Sequence, residues 1–196
     1  MNGLLSRVFS KLYRIGFSHC YRWSFQQLGL GATLFRPFRI DGGNGISLGE
    51  KTIIQRGAWL YCCGVDGRSA TLAIGTGCVL GYNNHIAAVG KVVIGDCVLT
   101  ANNVYISDNI HGYEDISTPV MYQPVFFKKA VFIGDGCWIG ENVSIIGARI
   151  GKNCVIGANA VVTHDIPDYS VAVGIPAVVI RQFDPHSQKW VNIKNE

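Results

Sequence analysis

The chain has 196 residues and a net charge of +4, with 24 glycines, 48% apolar residues and only 15% charged ones. This composition excludes a disordered chain and points to one domain that hides surface in an assembly. The mild positive charge contains no Lys/Arg run of nucleic-acid strength, and no apolar stretch approaches the roughly 20 residues of a membrane span.

The first residues, MNGLLSRVFSKLYRIGFSHC, have the outline of a secretory signal. Arg7, Lys11 and Arg14 interrupt its apolar run and no small-residue cleavage site follows, so a cytoplasmic location is expected. Leu4, Leu5, Val8, Leu12 and Ile15 recur at helical spacing with the basic residues off that stripe, which predicts an amphipathic helix. Two uses fit it: packing on the open end of the fold or on a neighbouring subunit, or contact with the inner membrane surface. Residues 1–45 are therefore read as a helical and irregular segment.

From about residue 46 a large aliphatic recurs every six residues: Leu48, Ile54, Leu60; Ile74, Leu80, Ile86; Ile94, Thr100, Ile106; Ile133, Ile139, Ile145; Ile150, Ile156, Val162. Six divides by two, so each repeat residue points to the same side of a short strand, whereas a helix would scatter them. A glycine often follows the aliphatic, read as a turn needing unusual backbone angles. A small residue sits four positions after it, Cys78, Cys137 and Cys154 among them, where a thiol acts as a compact apolar group. All seven cysteines are expected to be structural. Three six-residue sides make one coil, and coils stack at the strand spacing of about 4.8 Å. The expected fold is an all-β solenoid over 46–164, followed by a C-terminal segment, 165–196, that loses the period.

Two interruptions stand out. CCGVDGRSA (62–70) separates the first coil of this series from the second, and SDNIHGYEDISTPVMYQPVFFKK fills the long excursion at about 107–130. Long loops leaving a rigid solenoid usually carry function. The IGDGCWIGENVSI run, the closing IGANAVVTHDIPDYSVAVGIPA, and SDNIHGYEDISTP followed by YQP resemble the left-handed β-helix hexapeptide-repeat acyltransferases. Within them, the likeness is to bacterial O-acetyltransferases of polysaccharide and lipopolysaccharide sugars.

The resemblance implies a left-handed parallel β-helix and a homotrimer with acetyl-CoA in clefts between subunits. It also implies direct acetyl transfer to a sugar hydroxyl, without a covalent intermediate or a metal. It places the catalytic histidine at His111, five residues past Ile106. Trp138, Glu141, Gly157, Ala158, Thr163, His164 and Arg181 fall on the coenzyme side, and Asn83 on the acceptor side. His164 stands where a Lys or Arg is usual, Val178 where another basic residue is common, and Asn109 where an Asp-His-x-His pattern has its first histidine.

The residues themselves suit that chemistry. Attack by a hydroxyl on a thioester needs a base, and imidazole titrates close to working pH. His111 Nε2 is the expected base, its other nitrogen fixed by a backbone carbonyl or by Asp108, Glu114 or Asp115. Asp108, Asp115 and His85 are also candidates to line the acceptor site, and Asn84 occupies an inward slot where it must find partners. Alternatives within the same chemistry are an amino-sugar N-acetyltransferase or an antibiotic acetyltransferase. A zinc hydratase would need three converging imidazoles, and a non-catalytic scaffold would not bind acetyl-CoA.

Overall fold

A computed structural model describes Leu12, Tyr13, Gly16, Phe17 and residues 20–193. Three parallel sheets form a three-sided parallel β-helix, and the chain visits each sheet once per coil. The repeat aliphatics register with one another from rung to rung. Leu48, Ile74, Ile94, Ile133 and Ile150 stack on the first face. Ile54, Leu80, Thr100, Ile139 and Ile156 stack on the second. Leu60, Ile86, Ile106, Ile145 and Val162 stack on the third. All of these side chains are buried, as are the small residues four positions later.

The coils extend beyond the expected boundaries at both ends. Gln27–Leu28, Thr33–Leu34 and Arg39–Asp41 form a complete first coil, with Leu28, Leu34 and Ile40 in register with Leu48, Ile54 and Leu60. At the other end Ile166 bridges to Ile150, and Ser170–Val173 pairs in parallel with Val155–Ile156. Two antiparallel strands, Val178–Asp184 and Lys189–Asn192, then finish the second face.

The glycine reading also needs correction. Glycines 49, 75, 81, 95, 134, 140, 151 and 157 are absent from the positive-φ positions, which fall two residues later, at Lys51, Gly77, Asn83, Cys97, Gly136, Asn142, Asn153 and Asn159. The earlier glycines are required by proximity. A Cβ on Gly75 would lie 2.5 Å from the Gly95 carbonyl oxygen, because the next coil crosses directly over it. The left-handed position is often asparagine, whose side chain tolerates that backbone.

Polar atoms inside the helix are paired between coils. The thiols of Cys78, Cys137 and Cys154 lie 3.0 Å from the carbonyls of Gly95, Gly151 and Pro167, and the Thr52 hydroxyl donates to Gly75 at 2.6 Å. These thiols are therefore weak donors as well as apolar filling. Buried Asn84 donates to the Thr100 hydroxyl and accepts from the Val104 amide at 2.8 Å. Burial raises the Cys78 thiol and pushes Cys62 up to about 11, which keeps both protonated at neutral pH.

Leu12, Tyr13, Gly16, Phe17, Cys20 and Tyr21 have helical backbone; Leu4, Leu5, Val8 and Ile15 of the expected stripe lie outside the described residues. The side that meets the solenoid is aromatic. Phe17 is buried, and the Tyr13 hydroxyl accepts from the Arg36 amide and donates to the Leu34 carbonyl, each at 3.0 Å. Leu12 is exposed instead, so it belongs to a side of this segment that the solenoid does not use.

Candidate active site

The excursion leaves the third face after Tyr105–Ser107 and rejoins the first face at Val131–Ile133. Its base is an antiparallel ribbon of Asn109–His111 against Val125–Phe127. Register pairs His111 with Val125, and the Gly112 amide donates to the Pro124 carbonyl at 2.8 Å, so the backbone on both sides of the histidine is held. His111 is exposed and lines a cavity of about 360 Å³ with Tyr113, Glu114, Asp115, Gln123 and Phe126. Among the described residues its ring has no hydrogen-bond partner, so both nitrogens are available to incoming groups.

Asp108 is fully buried beneath this ribbon. Its carboxylate accepts the amides of Val89 at 2.8 Å, Gly90 at 2.8 Å and Lys91 at 2.7 Å, which form the same corner one coil earlier. Its carbonyl takes the Lys128 amide at 2.8 Å as the chain returns. This corrects the expectation that Asp108 meets the acceptor or orients His111: a carboxylate saturated by three backbone donors and sealed from solvent does neither. It roots the excursion instead.

The Phe127 ring completes that root by lying over Gly90, where a Cβ would sit 2.5 Å from its Cδ2 atom. Arg68, from the 62–70 insertion, lies 5.6 Å from the same ring, and Lys129 pairs with Asp165 at 2.7 Å. The pairing depresses the Asp165 carboxyl. Sequence reading missed Phe127, Lys129 and Asp165, although the aromatic-then-basic close of the excursion was visible in VFFKK.

Asp115 is exposed and turned toward its own loop, accepting the Ser117 amide at 2.9 Å and hydroxyl at 2.6 Å. Those bonds hold its carboxyl down at about 2. Of the three carboxylates considered for orienting His111, Glu114 is the one without such a commitment among the described residues.

The remaining sequence-derived residues fall in three places. Thr163 and His164 share the excursion's corner, two coils later, and the Thr163 hydroxyl lies 3.0 Å from His164 Nδ1. Asn83, Glu141, Gly157 and Ala158 occupy the corner between the second and third faces. There Asn83 begins an amide ladder through Asn103, Asn142 and Asn159, with steps of 3.4, 3.2 and 3.1 Å. Glu141 accepts the Asn102 amide at 3.1 Å and the side-chain amides of Asn102 and Asn103.

Trp138 lies on the second face, 51% exposed, between Leu99 and Val155; Arg181 follows on the same sheet, opposite Val171. His85 lies on the third face, its ring stacked on Trp59 at 4.2 Å and tilted against Tyr105 at 5.2 Å. Burial lowers its pKa. Within one chain, then, His111 shares a corner with Thr163 and His164 but not with Trp138, Glu141, Gly157 or Ala158. Among the described residues no three His, Cys, Asp or Glu side chains converge to hold a metal ion.

With this geometry established, comparison identifies the coil. Residues 130–164 match the hexapeptide repeat of succinyl-transferase. That stretch carries hexapeptide repeats. It is 38% identical over 144 residues to a protein of Mycobacterium tuberculosis named a probable acetyltransferase, covering 73% of this chain and 44% of that one. The chain spans about half the length of the first curated relatives it matches. A maltose O-acetyltransferase structure from Clostridium difficile superposes with a TM-score of 0.56 at 29% identity, covering 93% of this chain and 90% of the other. A hexapeptide-repeat acetyltransferase from Vibrio cholerae, solved with acetyl coenzyme A, shares the fold at 23% identity and TM-score 0.59, covering 91% and 85%.

Proposed function

We propose that this protein transfers acetyl from acetyl-CoA to a hydroxyl of a glycan sugar or its precursor, with His111 as general base. The observation that carries this reading is His111 itself. An imidazole with no partner among the described residues stands on a hairpin whose root is locked to the coil by Asp108, in a cavity of about 360 Å³. Direct transfer requires that this ring take the hydroxyl proton as oxygen attacks the thioester carbonyl, then pass it to the leaving thiolate. Cys62 and Cys78, which burial keeps protonated, supply no competing nucleophile. Similarity to a maltose O-acetyltransferase supports a sugar hydroxyl as acceptor, and similarity to a fold solved with acetyl-CoA supports the donor.

The site needs more than one copy of the chain. Trp138 and Glu141 stand on a different face and corner from His111, so a cleft using all three joins the corner of one subunit to the face of another. The second face presents Val79, Leu99 and Trp138 as consecutive exposed apolar rungs, which supports burial against a neighbour. A homotrimer of left-handed helices satisfies both requirements.

The test is initial-rate kinetics of His111→Ala with acetyl-CoA and a panel of sugars. The variant should lose about 10²–10⁴-fold in kcat, the usual contribution of a general base, while KM for acetyl-CoA changes little. Near wild-type kcat would eliminate the mechanism, and activity confined to amino sugars would redirect the acceptor to an amine.

A further inference from the structure

The N-terminal end of the prism differs from the rest of the surface. The first coil is the end rung of all three sheets. Around it, Trp23 is 92% exposed, Leu30 81% and Phe38 73%. Leu30 sits in the turn between the first two strands and Phe38 just before the third, with Trp23 in the short 3₁₀ turn Arg22–Ser24 that leads into the coil. Leu12 adds another exposed aliphatic beside the aromatic side that packs on the solenoid. Single exposed apolar side chains are ordinary; several large ones around one rung are not.

Charge is concentrated at the same end. Among the described residues of that end, 20–40, there are Arg22, Arg36 and Arg39 and no Asp or Glu. Arg22 and Arg36 are exposed beside Trp23 and Phe38, while Arg39 is neutralised by Asp41 at 2.8 Å. Indole and aliphatic groups interleaved with arginine match the boundary of an anionic bilayer. The rings and alkyl chains enter the headgroup region, and the guanidinium groups stay at the phosphates.

We propose that this end of the β-helix docks on an anionic membrane surface through Trp23, Leu30, Phe38 and the flanking Arg22 and Arg36. The docking is peripheral and reversible, since a few side chains of this kind hold a protein far less firmly than a spanning helix. It is independent of the catalytic reading. It also has a geometric consequence: the excursion bearing His111 springs from the fourth coil, three spacings of about 4.8 Å away, so its root stands about 14 Å above the docked end.

The test is sedimentation of the full chain with vesicles of phosphatidylcholine alone and of phosphatidylcholine with one quarter phosphatidylglycerol. Wild type should bind the second and not the first, and release between about 0.1 and 0.5 M salt as screening shortens. Trp23→Ser/Leu30→Ser/Phe38→Ser and Arg22→Glu/Arg36→Glu should each weaken partitioning at least about tenfold, with the far-UV circular dichroism spectrum and Tm retained. A second readout avoids disruptive changes: brominated lipid should quench wild-type fluorescence more than that of Trp23→Phe. Three results would overturn the proposal: no binding to anionic vesicles, equal binding by the variants, or loss of self-association in the variants without any change at vesicles. Acetyl transfer to soluble sugars is measured separately, so failure of docking and failure of the catalytic reading are distinguishable.

Discussion

Replacing Asp108 with alanine tests whether the excursion is rooted by a carboxylate. The substitution removes the acceptor for the Val89, Gly90 and Lys91 amides, held at 2.8, 2.8 and 2.7 Å, and leaves the Val89 donor without solvent. An unsatisfied buried donor costs about 1–3 kcal/mol, and each hydrogen bond to a charged group is worth about 1.5–3 kcal/mol. For a chain of this length each kcal/mol shifts Tm by about 2–4 °C, so a fall of roughly 10 °C is expected in a thermal melt. The loss should also be local: hydrogen exchange should accelerate at the amides of residues 89–91 and 128–129 more than in the first two coils. Because the hairpin bearing His111 loses its anchor, kcat should drop although no atom that touches substrate has changed. Asp108→Asn should fall between, since it keeps one acceptor oxygen and adds donors facing donors. If Asp108→Ala melts within about 3 °C of wild type with those amides still protected, the carboxylate does not root the excursion.

Gly75→Ala should destabilise more than Gly77→Ala in urea titrations, because its Cβ meets the next coil's backbone at 2.5 Å, whereas a Cβ on Gly77 has only the Cys97 sulfur at 3.5 Å. The second change costs only left-handed strain of about 1–2 kcal/mol; equal losses would contradict the close-approach reading. Asn84→Val alone strands the Val104 amide, leaves the Thr100 hydroxyl only the Gly81 amide at 3.1 Å, and should cost about 1–3 kcal/mol. Adding Thr100→Val should recover part of it, measurable as non-additivity in a double-mutant cycle. Burial lowers the folded-state pKa of His85 below its ordinary value of 6.5. The unfolded chain therefore binds a proton first, so this contribution to stability is complete above pH 6.5 and is lost as pH falls toward the folded value. His85→Gln should flatten that part of the stability profile, and an unchanged slope between pH 7 and 5 would exclude the assignment.

Much of the coil was legible because each rung repeats the demands of the one below it. Large aliphatics at 48, 54 and 60 can only stack if the same positions recur one coil later, and they do. The same signal ran through Leu28, Leu34 and Ile40, followed by a step of eight like that from Ile86 to Ile94. The first coil was therefore present in the pattern, although it was read as part of an irregular segment. The His111 excursion was visible as a gap of 27 residues between repeat aliphatics.

The sequence by itself determined the six-residue period, the inward column of small residues and the position of the long excursion, because these depend on alternation along a strand and on chain length. Only the tertiary structure decided which atoms meet at the corners. Asp108 looked like an acidic residue beside a catalytic histidine; closure of the coil put it under the corner of the previous one, where three amides needed an acceptor. Asn83, read in sequence for the acceptor side, is in the fold also the first step of an amide ladder, through neighbours separated from one another by 20, 39 and 17 positions. Nothing local distinguishes those roles. A polar side chain's function in a solenoid is set by the rung above and below it, and the insertions between rungs erase that spacing from the linear sequence.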